Sequence, residues 1–125
     1  MNVKTDTKEK FTVITPDGPV ITANMTAELG NLLLPYMQKD IPHIIFNMQN
    51  VESLDEQAGV TLAEIQQKFY EHSLSFVLCE MKPGVEDILD QQELLEIMNA
   101  TPTESEAWDI VQMEEIEREL LGGEE

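Results

Sequence analysis

Short apolar runs alternate with helical stripes along the chain. Phe11 to Ile14 and Val20 to Ala23 are rich in β-branched residues and flank Pro16-Asp17-Gly18-Pro19. Proline presets φ and glycine accepts positive φ, so this arrangement predicts a β-hairpin. Leu29, Leu32, Leu33, Tyr36 and Met37 then fall at i, i+3, i+4, i+7 and i+8, one helix face, with Asn24 or Thr26 placed to cap its start. Pro35 lacks the N–H that this helix would use there and is expected to bend it. His43 to Met48, after Pro42, is an apolar run of strand length.

Ala58, Leu62, Ile65 and Phe69 repeat at helical spacing, which predicts a second helix from about Glu56 to Glu71. The continuous apolar run Leu74 to Cys79 reads as a strand covered on both faces. Pro83 opens a short helix carrying Val85, Ile88 and Leu89, and a brief extended segment is expected around Leu95 to Met98. Thr101-Pro102-Thr103-Glu104 supplies a capping hydroxyl, a proline for the first helical position and a glutamate to return a hydrogen bond. The terminal helix that follows has an apolar stripe of Ala107, Ile110, Met113, Ile116 and Leu120, widened by Trp108 and Val111, and ends at Gly122-Gly123. The order β β α β α β α (β) α implies an α/β domain, a mixed sheet with helices packed against it. No linker or repeat divides it, so residues 1–121 form one domain followed by a short acidic tail, 122–125.

Charge narrows the partners. In 125 residues there are 25 acids and 7 bases, a net charge of −18, yet 42% of residues are hydrophobic, enough for a packed core. Nucleic acid and anionic membranes are polyanions that need clustered Lys and Arg, so a partner should be basic or apolar. From Glu104 onward nine acids face one base, Arg118, a density of negative charge well above that of the rest. It reads as the solvated side of a terminal helix plus a tail. Cys79 is the only cysteine and its neighbours Phe76, Val77 and Leu78 make it a buried hydrophobe. The polar start has no apolar h-region and no run approaches the ~20 residues of a membrane helix, so a cytoplasmic protein without membrane insertion is expected.

Catalytic motifs are missing from the pattern. His43 and His72 are the only histidines and neither has a cysteine or second histidine at ligand spacing, which argues against a metal. There is no G-x-S-x-G and no glycine loop for phosphates, so no cofactor is expected. Acid pairs such as Glu93 with Glu96 follow from composition, and His43 reads as a partly buried packing residue. The informative stretch is His43 to Leu62, where a buried strand runs into a polar loop and the next helix begins at Asp55. Orphan N–H groups and the positive end of the helix dipole lie there, with Asp55 as the capping carboxylate.

That stretch resembles the STAS domain, whose pattern is a hydrophobic strand ending in Asp-Leu-Ser-x-Val, then three residues, then Asp-Ser-Ser-Gly at a helix start. Asn47-Met48-Gln49-Asn50-Val51 and Asp55-Glu56-Gln57-Ala58 take those places, and the resemblance extends over nearly the whole chain, from the opening hairpin to a last helix entered through Thr103-Glu104-Ser105-Glu106-Ala107. It implies a mixed, mostly parallel sheet of four to five strands with about four helices. It also implies a non-enzymatic interaction module of the anti-sigma factor antagonist type, acting on transcription in bacteria. Its partner would be an anti-sigma factor of the serine-kinase-like type or another regulator, and dimerisation stays open. In phosphoswitching members the second Ser of the motif is phosphorylated; Gln57 stands there, and a shift by one that aligns Gly59 with the family glycine puts Ala58 there. Neither residue carries a hydroxyl, and the nearest ones, Ser53 and Thr61, read as structural. Partner contacts are expected from Asp55, Glu56, Gln57, Ala58 and Gly59, with Asn24 and Asn50 from neighbouring loops. The rival reading is a structural subunit of a stressosome-like scaffold or a membrane-transport accessory subunit.

Overall fold

Alternate residues of the central strands enter two different cores, because successive strand side chains point to opposite faces. Ile14, Ile44, Phe46, Phe76 and Leu78 face one way, and Val13, Ile45, Val77 and Cys79 the other. In the computed structural model, which describes residues 1–122, the elements are β1 (Val3–Thr7), β2 (Thr12–Pro16), β3 (Val20–Ile21), α1 (Thr26–Leu33), β4 (Ile44–Asn47), β5 (Ser53–Leu54), α2 (Glu56–Glu71), β6 (Phe76–Cys79), α3 (Pro83–Gln91), β7 (Ala100–Thr101) and α4 (Glu104–Gly122). Gly123 and the rest of the expected acidic tail lie outside the described residues.

The main sheet has the order β1-β2-β4-β6-β7, with β1 antiparallel to β2 and every other pair parallel. Helices α1, α2 and α3 cover one face through Leu29, Leu33, Leu62, Phe69, Val85 and Leu89. Helix α4 covers the other with Ala107 and Val111, and Trp108 meets Phe11 edge-on at 5.1 Å between ring centroids. Both faces of the central strands are therefore buried, which is why β4 and β6 read as unbroken apolar runs.

The expected hairpin is corrected. Its two runs do not pair; the hairpin is β1 with β2, in a register that sets Thr5 opposite Ile14, and Lys8 N–H donates to the Phe11 carbonyl at 2.7 Å in the turn. Strand β2 has β1 on one side and β4 on the other, so nothing can return beside it after Pro16-Asp17-Gly18-Pro19. Instead β3 lies parallel to β5 in a separate two-stranded sheet. Pro35 does not bend a helix either: α1 stops at Leu33, and Pro35 opens a 3-10 segment, Leu34–Gln38, where its missing N–H has no partner to lose. The late strand lies at Ala100–Thr101 and not at Leu95 to Met98, because Leu78 N–H bonds to the Asn99 carbonyl and fixes that register.

Helix α4 begins two residues later than expected. Glu106 N–H donates to Thr103 Oγ1 at 3.2 Å and the Thr103 hydroxyl donates to the Glu106 carboxylate at 2.9 Å, so the capping hydroxyl is that of Thr103 and Pro102 precedes it. Its stripe also fails to stay on one face. Each three-residue step turns about −60° around a helix of 3.6 residues per turn, so Ile116 lies about half a turn from Ala107. Ala107 is buried, whereas Met113, Ile116 and Leu120 are 55%, 56% and 69% exposed.

Candidate functional site

Helix α2 starts at the end of a short path from β4. Asn47 closes β4 and is buried; its Oδ1 accepts from Gln49 N–H at 2.9 Å and its Nδ2 donates to Glu104 at 3.0 Å. This local turn, with Val51 N–H bonded to the Met48 carbonyl, carries the chain toward β5, where the Pro19 carbonyl accepts from Glu52 and Ser53 N–H. The Asp55 backbone then occupies the N-cap position of α2 with φ −69° and ψ 152°.

Its side chain does not cap that helix. Asp55 Oδ2 accepts from Ala23 N–H at 2.9 Å, while Asp55 N–H donates to the Ile21 carbonyl. The expectation of a self-capping Asp55 is therefore corrected: the carboxylate reaches a backbone donor at the end of β3 and ties the turn bearing Asn24 to the start of α2. Neither Asn24 nor Thr26 caps α1, whose N-cap position is Met25; the Thr26 hydroxyl donates to the Ala23 carbonyl at 3.0 Å.

Asp55, Glu56, Gln57 and Asn24 are exposed and neighbouring, so four of the seven expected contact residues form one edge. Ala58 and Gly59 are buried. As contact residues they are corrected to supports, because the same turn of α2 that presents Glu56 and Gln57 turns Ala58 into the core and Gly59 against α3. A Cβ on Gly59 would lie 2.5 Å from Gln92 Oε1 and 3.1 Å from Leu89 Cδ2. Gln92 Nε2 in turn donates to the Glu56 carbonyl at 2.8 Å, bracing the first turn. Nothing in the sequence marks Gln92 for that role. Asn50 is exposed but lines a different cleft of about 300 Å³ with Lys4, Asp6, Thr15, Asn47 and Glu104.

Behind the edge a groove of about 260 Å³ separates α1 from α2, lined by Ala27, Gly30 and Leu34 on one side and Thr61, Glu64 and Lys68 on the other. Thr61, one of the two hydroxyls near the motif, donates to the Gln57 carbonyl at 3.0 Å; Ser53 is exposed on β5. Glu52, Asp55 and Glu56 give the edge a negative rim, with Lys82 paired to Glu52 at 3.4 Å. The arrangement offers an acidic, hydrogen-bonding surface beside a shallow groove.

Elsewhere the titratable groups serve packing. Burial, with Glu104 and Glu80 nearby, pushes the Cys79 thiol up to about 12. Burial and the Arg118 charge lower His43, whose Nδ1 accepts from Ser75 N–H at 3.0 Å. Among the described residues no cluster of His, Cys, Asp or Glu is placed to hold a metal, and no helix is long and apolar enough to cross a membrane.

Comparison with known proteins agrees with this fold. A family model described as the STAS domain matches residues 2–107. None of the curated proteins compared by sequence matches the chain. A Thermotoga maritima protein described as a candidate anti-sigma factor antagonist superposes with a TM-score of 0.76 at 19% identity, over 88% of this chain and 94% of that one. The anti-sigma factor antagonist SpoIIAA in its unphosphorylated form gives 0.70 at 17% identity, over 89% and 96%. A chain of the stressosome, described as a signal integration and transduction hub, gives 0.66 at 18% identity, over 87% and 96%.

Proposed function

The chain belongs to the STAS domain family, and on that premise we propose that it is a non-enzymatic interaction module of the anti-sigma factor antagonist type, working in the cytoplasm. It docks a regulatory protein through Asp55, Glu56, Gln57 and Asn24. The observation that carries this reading is the exposed edge at the start of α2, held to the Asn24 turn by the bond from Ala23 N–H to Asp55. Likeness to antagonists makes a serine-kinase-like anti-sigma factor the first partner to test.

The phosphoswitch of the family is lost here. Gln57 takes the place of the modified serine, and Glu56 sets a fixed negative charge in the first turn of α2, where the helix dipole favours an anion. A carboxylate has less charge and fewer acceptor oxygens than a phosphate, so Glu56 does not hold the protein permanently dissociated. Incubation with a kinase-type anti-sigma factor and ATP, followed by intact-mass measurement, should leave the mass unchanged while the two proteins still associate in a titration. A stoichiometric phosphate adduct mapped to residues 53–61 would overturn the lost switch, and failure to associate would overturn the partner.

The likeness to a stressosome chain favours one second reading, a structural subunit of a stressosome-like scaffold; a membrane-transport accessory subunit belongs to the same class. What co-purifies from native extract separates these: a kinase-like regulator for the first, scaffold or transporter components for the second.

A further inference from the structure

The second half of α4 has its amphipathic character reversed. Its inward side is polar: Glu114 accepts from the Ser75 hydroxyl at 2.6 Å and from Asn99 Nδ2 at 3.0 Å, and Arg118 donates to Ser75 Oγ at 2.8 Å. Ser75 is 1% exposed, so this network is anchored in the sheet and sets the rotation of the helix. Its outward side carries Met113, Ile116 and Leu120, each more than half exposed. Turning the helix to bury them would strip Ser75 and Asn99 of their partners and leave the buried Ser75 hydroxyl unpaired. The apolar face is thus held in solvent by the same bonds that hold the helix down.

From this we infer that the outer face of α4 is a second docking surface and that its occupant is a basic amphipathic helix of a partner protein. Ile116 borders a groove of about 310 Å³ with Glu9, Lys10, Gln112, Glu115 and Glu119, where Lys10 is paired to Glu115 at 3.1 Å, and the exposed acids Glu106, Asp109, Glu117 and Glu119 surround the apolar row. That pattern complements a helix with an aliphatic stripe between Lys or Arg residues. A second copy fits poorly: the chain carries −18, and pairing α4 with itself would set acid against acid. Three side chains also fall short of the ~800 Å² per partner of a stable dimer. Because α4 and the α2 edge lie on opposite faces of the sheet, the two surfaces can be occupied together.

The test uses the full chain and a synthetic amphipathic helical peptide of about five turns, with a leucine face bordered by lysines, followed by titration calorimetry. Binding is expected, and Ile116→Ser/Leu120→Ser should weaken it at least tenfold with an unchanged melting temperature, while Asp55→Ala leaves it as it was. A control peptide with its leucines replaced by serine should bind at least tenfold more weakly despite equal charge. Equal binding by the parent and the double variant would show that acidity alone attracts the peptide, and no binding at all would equally overturn the proposal. So would concentration-dependent dimerisation of the parent in sedimentation that the double variant abolishes, since the occupant would then be a second copy.

Discussion

Asp55 acts on a residue 32 positions away, through the bond that Ala23 N–H donates to its carboxylate. Asp55→Ala should lose that bond, costing about 1 kcal/mol of stability, and also weaken the proposed partner. Asp55→Asn keeps a side-chain oxygen for Ala23 but no charge, so it should recover stability in a denaturant titration more than it recovers affinity. His43 gives a second test at this scale. Its folded-state pKa lies below the ordinary 6.5, because burial and Arg118 oppose its charge and Ser75 N–H requires a free Nδ1 lone pair. Below that value the unfolded chain binds more protons, so stability rises with pH. His43 therefore contributes fully above about pH 6.5 and its contribution is lost as pH falls through the lower folded value. Denaturant midpoints for the parent and His43→Gln should diverge least at the acid end of that window and most above it. A constant difference between the two would remove the linkage.

At the scale of elements, the start of α2 depends on how closely α3 approaches it. Gly59→Ala improves helix propensity by up to ~1 kcal/mol, but its methyl must displace the Gln92 amide that braces the Glu56 carbonyl and press on Leu89. Overpacking of this kind costs about 1–3 kcal/mol, so the net effect should be a loss of roughly 1 kcal/mol, read as a lower melting temperature. Pairing it with Gln92→Ala, which removes the obstructing amide, should shrink that loss; an undiminished loss would place the strain elsewhere. The ends of α2 and α3 share a stop that carries no glycine. Each closes on a non-glycine residue in the left-handed region, Ser73 at φ 59° and Glu93 at φ 61°, followed by a bond from Leu74 N–H to Phe69 and from Leu94 N–H to Leu89. The usual glycine stop signal is missing at both, and the bonds that replace it are visible only in three dimensions.

For the whole molecule, net charge governs encounter more than cohesion. With −18 overall and an acidic edge at α2, association with a basic partner should slow and weaken as salt rises from ~0.05 to ~0.5 M, as screening shortens the reach of exposed charges. The effect should fall mainly on the association rate, measured by stopped flow. Salt-independent association would mean that the acidic rim does not make the recognition.

Composition and periodicity alone determined the buried strands at Ile44–Asn47 and Phe76–Cys79, the span of α2 and the alternation that makes this an α/β domain, because core burial imposes its period locally on the side chains. The motif at Asp55 was legible through its resemblance to the STAS pattern, because its residues are adjacent in sequence. Tertiary structure decided what depends on neighbours from far along the chain: that the polar Val3–Thr7 is an edge strand, that β2 leaves no free side for Val20–Ile21, and that Asp55 bonds to Ala23. It also decided that Ala58 enters the core, that Gly59 faces α3 and that Ile116 faces solvent. A one-dimensional pattern shows which residues prefer burial; only the packed sheet determines which of them find a surface to be buried against.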